Sequence, residues 1–178
     1  MCSMRKRILA TLLAFVLLFS GGAVTAYAYN VAVSGGLKST PYSLRWHSSM
    51  TTAKKNAISS ACGAWTSAGY GKLAELSSYS HTNSYPTDNN YNEISFTDSL
   101  EDDVLAQCHR VFTSIFRTKI ETADIGISTS HTFSTGTPSS TQYDLQSVIT
   151  HEVGHALGLG HPDDTERTAV KIGRASCR

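Results

Sequence analysis

HEVGHALGLGH, residues 151–161, brings three histidines and one glutamate into eleven positions of this chain. An α-helix turns about 100° per residue, so His151 and His155 project from nearly the same face and their imidazoles can share one ion. Glu152 lies at the edge of that face, where its carboxylate reaches a water beside the ion without binding the ion itself. If the helix continued to His161, this third histidine would lie about 15 Å along the axis from His151 and point away.

Gly158 resolves this conflict, because glycine accepts the positive φ that ends a helix and turns the chain back. Gly160 adds further freedom, so that His161 can join the other two histidines. Three nitrogen ligands at about 2.0–2.1 Å suit Zn²⁺ and leave its fourth position for water, which is typical of a catalytic rather than a structural ion. The sequence therefore predicts one zinc ion on His151, His155 and His161, with Glu152 as general base for hydrolysis of peptide bonds.

Other interpretations of these residues stay open. The ligands could persist in a degenerate zinc-containing binding protein that no longer catalyses a reaction. Alternatively, the same site could hydrolyse a non-peptide amide. Asp163 and Asp164 are rival ligands just beyond His161, although His161 falls at the motif spacing and is the more usual zinc donor. A serine nucleophile has less support, because no G-x-S-x-G motif is present.

The first 28 residues have the features of a secretory signal peptide. Three basic residues at 5–7 precede an apolar run over Ile8–Phe19, and Ala26-Tyr27-Ala28 supplies a small-x-small cleavage site. The apolar run is shorter than the roughly 20 residues of a membrane-spanning helix. We expect a secreted, extracellular protein whose single domain begins at residue 29.

The charge balance of the expected mature domain argues against two classes of partner. Six of the 15 basic residues lie in the leader or in the last eight residues, which leaves nine against 14 acidic residues. Such a mildly acidic domain gives no reason to expect a nucleic acid or a membrane as partner. In an oxidising compartment, Cys62 and Cys108 are most simply interpreted as one disulfide.

The remaining pattern predicts a sheet with two helices, of α+β or mixed α/β kind. Apolar residues at helical spacing predict a helix over Thr51–Gly69, and Asp144 can cap a second helix that carries the zinc motif. Asp102–Phe116 is ambiguous between helix and loop. Alternating or apolar runs predict strands at Tyr42–His47, Leu73–Tyr79 and Asn92–Thr97, and a half-buried strand at Glu121–Ser130.

The stretch DLQSVITHEVGHALGLGH resembles the long zinc signature of metzincin metalloproteases, most closely the matrixin branch and its secreted bacterial members. RWH in the first strand, AWTSAG at the end of the first helix and ADIGIS before the zinc helix extend the resemblance more weakly. The resemblance implies a twisted, mainly parallel sheet with an antiparallel edge strand and two long helices, the zinc site being on the second. It also implies a polypeptide substrate bound in extended conformation along an edge strand similar to Ala123–Ser128.

Three departures from the matrixin pattern are visible. No cysteine-switch propeptide lies between Ala28 and the first strand. His81, His109 and His131 do not reproduce the second, structural zinc site of that group, and the sequence leaves open whether a second Zn²⁺ or a structural Ca²⁺ is bound. No methionine follows His161, although metzincins place a methionine turn beneath the zinc.

The last eight residues, KIGRASCR at 171–178, match the translation of a string resembling a common sequencing adapter. We therefore expect a non-native tail at 171–178 and a catalytic domain over residues 29–170 that is incomplete at its C-terminus.

Overall fold

A computed structural model of the chain describes residues 30–67, 71–113, 116 and 118–161. The expected leader, the expected tail and Asp163 with Asp164 lie outside the described residues. Among those described, neither helix has the length and apolarity that crossing a bilayer requires. The elements in chain order are β1 Asn30–Val31, β2 Tyr42–His47, α1 Thr52–Ser67, β3 Ala74–His81, β4 Asn92–Thr97, β5 Ala106–Phe112, β6 Ile120–Ser128, β7 Phe133–Ser134, β8 Tyr143–Asp144, α2 Leu145–Ala156 and β9 Leu159–Gly160.

The main sheet has five strands in the order β3-β2-β4-β6-β5. Strands β3, β2, β4 and β6 run parallel to one another. At the edge, β5 pairs antiparallel with β6. Two short pairs, β1 with β9 and β7 with β8, lie outside this sheet. The expected mainly parallel sheet with an antiparallel edge strand and two helices is confirmed.

The core lies between one face of the sheet and the two helices. Helix α1 contacts β3 and α2, and α2 contacts β5 and β6. Three residues of β6, Ala123, Ile125 and Ile127, are completely buried in this core. Helix α1 contributes Ile58 and α2 contributes Ile149, both also completely buried. Because the two helices share one apolar core, the position of α2 over the sheet is fixed by packing.

The strand β6 is an inner strand and is buried on both faces, so the half-buried exposure predicted for Glu121–Ser130 is wrong, and so is the edge position that the resemblance implied for Ala123–Ser128. Its polar face is buried as well, because residues 82–91 cover it: the Tyr85 ring packs against Gly126, and Thr87 N–H donates to Asp124 at 2.8 Å. A Cβ on Gly126 would lie 2.7 Å from that ring. The antiparallel edge strand is instead β5, within the segment whose pattern left helix and loop open.

The expected disulfide between Cys62 and Cys108 is absent, and both residues are free thiols. Cys62 lies on α1, where burial and then the nearby charge of Glu75 on β3 raise its pKa to about 12, whereas Cys108 lies on β5. Strands β3 and β5 form opposite edges of the five-stranded sheet. Both residues pack in the same hydrophobic core and lie within electrostatic range of the buried Tyr42 hydroxyl, but no bond joins them.

Candidate metal centre

Helix α2 is fixed at its start by a cap and along its length by the core. The Asp144 carboxylate accepts a hydrogen bond from Ser147 N–H at 2.9 Å, as the sequence predicted. The Trp65 indole of α1 donates to the carbonyl of Thr150 at 2.9 Å. Since the Ile149 and Val153 side of the helix is completely buried, His151 and His155 project from another side.

The helix ends at Ala156, and Gly158 reverses the chain. Its φ is +101°, and its N–H donates to the carbonyl of His155 at 3.0 Å. A Cβ at this position would lie 3.1 Å from the carbonyl oxygen of Val33. The N–H groups of Ala32 and Val33 both donate to the Gly158 carbonyl at 3.0 Å, and β1 pairs with β9 just beyond it. The N-terminal segment therefore supports the turn that brings His161 back.

The three predicted histidines converge on one point. The Nε2 atom of His151 lies 2.9 Å from that of His155 and 3.0 Å from that of His161, and the last two are 3.0 Å apart. Within the described residues, these three form the one cluster of at least three side chains able to hold a metal ion. His81, His109 and His131 belong to no such cluster there.

The second nitrogen of His155 defines its tautomer. Because the Leu159 carbonyl, 2.9 Å away, can only accept, Nδ1 donates to it, and in the neutral ring Nε2 then carries a lone pair directed at the other imidazoles. Three ring nitrogens this close, one of them without a proton, suit a shared cation with bonds of about 2.0–2.1 Å. The donor set therefore fits a zinc ion.

The surroundings keep two of these imidazoles neutral. Burial, reinforced by His155 and His161, lowers the pKa of His151 to about 3. Burial also lowers the pKa of His155 to about 4, with smaller contributions from His161 and Arg110, although the bond to Leu159 opposes the shift. Neutral imidazole is the form that binds a metal, so the site keeps its lone pairs at neutral pH.

These pKa values predict the protonation of the metal-free protein. At pH 5.5 an ordinary histidine with a pKa of about 6.5 is roughly 90% protonated, whereas His151 and His155 should be neutral. Long-range ¹H–¹⁵N spectra report this directly, and the same sample in denaturant is the control. Because the unfolded chain binds more protons than the folded chain between about pH 4 and 6.5, the metal-free protein should lose stability as the pH falls through this window. Both rings protonated at pH 5.5 in the folded protein would contradict the prediction.

Glu152 is only 2% exposed and lies on the side of α2 that faces the sheet. Burial, followed by the charge of Glu152, raises the pKa of Cys108 on β5 well above its usual value. The carboxylate is therefore close to the edge strand as well as adjacent in sequence to His151.

Three features of the centre were not predicted from the sequence. The Leu159 carbonyl orients His155, the segment at Ala32 and Val33 supports the turn, and Arg110 of β5 extends toward α2. The first two depend on backbone groups, which leave no signal in residue type. Arg110 lies in the segment that was ambiguous between helix and loop, so its direction could not be assigned.

Comparison with known families gives a match over most of the chain. The model of the family described as Matrixin matches residues 41–172, well over half of the 178 residues. The match includes every strand of the main sheet, both helices and the three histidines. No curated protein matches the chain.

Proposed function

The chain belongs to the matrixin family of zinc metallopeptidases, and on this basis we propose that it is a secreted endopeptidase whose zinc ligands are His151, His155 and His161 and whose general base is Glu152. The observation that carries the proposal is the convergence of three Nε2 atoms within 3.0 Å of one another. Secretion is proposed from the leader pattern at residues 1–28.

When bound, zinc would act as a Lewis acid that polarises the scissile carbonyl and makes water more acidic. The Glu152 carboxylate accepts a proton from the attacking water and passes it to the leaving amine nitrogen. Its burial on the sheet side of α2 supports this role, because a carboxylate shielded from solvent holds and releases a proton in a fixed position.

The free edge of β5 is the proposed place for the substrate. In the described part of the chain no strand pairs with the outer edge of β5, and its inner edge pairs with β6. An extended polypeptide can therefore add to the sheet through main-chain hydrogen bonds. This assignment replaces the inner strand at Ala123–Ser128, whose two edges are occupied by β4 and β5.

The full chain, loaded with zinc and incubated with casein, tests the function. We expect cleavage that a chelator abolishes and that added Zn²⁺ restores. Zinc binding without cleavage would support instead the alternative of a degenerate zinc-containing binding protein. Cleavage that is insensitive to the chelator would contradict the proposal.

A further inference from the structure

Arg110 lies on β5, the strand along which we propose that the substrate binds. Its side chain extends toward α2, the helix that carries His151 and His155. In the antiparallel register of β5 and β6 it is directly opposite Ala123. Residues opposed in this way have their side chains on the same face of the sheet. Ala123 is completely buried in the core beneath the helices, so Arg110 extends into the space between the edge strand and α2.

The guanidinium of Arg110 has an unused donor. Its Nη1 atom is buried and has no hydrogen-bond partner, and it is the one buried side-chain nitrogen or oxygen of which this holds in the described part of the chain. Nη1 therefore has no carboxylate within hydrogen-bond distance among the described residues. The Phe112 ring, 5.9 Å from the guanidinium carbon, provides only a weak contact. A permanently charged group with an unpaired buried donor is a site prepared for an anion.

The position of this charge relates it to the catalytic centre. Arg110 interacts electrostatically with Cys108, the inward-facing residue two positions earlier on β5, and with His155. It therefore lies near the His155 end of α2, on the side of the helix that faces β5. Ala106, at the other end of the strand, packs with Val148, one turn before His151.

We propose that Arg110 determines substrate specificity by binding a carboxylate of the substrate, supplied by an acidic side chain at the position that pairs with Arg110 across the free edge of β5. This inference rests on the proposed peptidase function. A substrate residue opposite Arg110 has its side chain on the same face, with Cβ atoms about 4.5–5.5 Å apart. A carboxylate at that position accepts parallel N–H bonds from the planar guanidinium, which a neutral amide of the same shape cannot match.

The test uses internally quenched peptides, amidated at the C-terminus, in which glutamate or glutamine occupies each position in turn around a cleaved bond. For the wild-type chain we expect kcat/KM to favour glutamate over glutamine at one position by about tenfold or more. In Arg110→Met the ratio at that position should fall to near one, and Arg110→Lys should retain part of the preference. Arg110→Glu should favour a lysine there.

The control is Lys72→Met, which removes an equal charge from an exposed side chain next to β3, at the opposite edge of the sheet. It should retain the full glutamate preference. The same peptides with a free C-terminal acid show whether a terminal carboxylate can replace the side chain.

Equal rates for glutamate and glutamine at every position in the wild type, or a preference that persists in Arg110→Met, would overturn the inference while leaving the peptidase function intact. Complete absence of hydrolysis in the zinc-loaded wild type would instead refute the proposed function, and the inference with it.

Discussion

Glu152→Gln lowers kcat for peptide hydrolysis by about 10²–10⁴-fold and leaves the bound zinc in place. Glutamine has the shape of glutamate but accepts no proton at neutral pH, so the step that moves a proton from water to the leaving amine loses its base. Zinc retention follows because the proposed ligands are the three histidines, and the Glu152 side chain is not one of them. The measurement combines steady-state kinetics on a quenched peptide with metal analysis of the purified variant.

The matched control is Glu121→Gln, which makes the same chemical change in a partly exposed side chain paired with Lys38. It should retain nearly full activity. Turnover of Glu152→Gln at the rate of this control would remove the proposed general base. Loss of zinc together with activity in Glu152→Gln would show that the carboxylate helps to hold the metal.

Gly158→Ala should weaken zinc binding by more than roughly tenfold and destabilise the fold by about 1–3 kcal/mol. The φ of +101° is strained for alanine, and its Cβ would meet the Val33 carbonyl at 3.1 Å. Relief of either conflict moves the turn, and His161 moves with it. Zinc affinity is measured by competition with a chromophoric chelator, and stability by urea unfolding of the metal-free protein.

Gly63→Ala is the appropriate comparison, because Gly63 lies within α1 and a Cβ there meets no atom within 4 Å. This change should raise stability by about 0.5–1 kcal/mol without altering zinc affinity. If Gly158→Ala binds zinc as tightly as Gly63→Ala, the turn at Gly158 does not control the third ligand.

The histidine geometry could be predicted from the sequence because it follows from local rules. Helical periodicity places His151 and His155 on one face, and Gly158 is compatible with a turn that few other residues allow. The second helix and its Asp144 cap were predictable for the same reason.

What the sequence could not indicate depends on contacts between distant segments. The alternation in β6 suggests one exposed face, but Tyr85 and Thr87, about 40 residues earlier, cover that face. In β5 the inward direction of Arg110 opposes the usual pattern of buried apolar residues, so the strand gave no clear periodic signal. The contact of Val33 with Gly158 spans most of the chain and has no sequence motif.

X-ray absorption at the zinc edge tests the central claim most directly, because it counts the imidazole ligands of the bound ion. For the wild-type chain we predict one zinc ion with three imidazole nitrogens at about 2.0–2.1 Å, and His161→Ala should leave two. A wild-type spectrum with two imidazoles, identical to that of His161→Ala, or a chain that binds no zinc, would contradict the account.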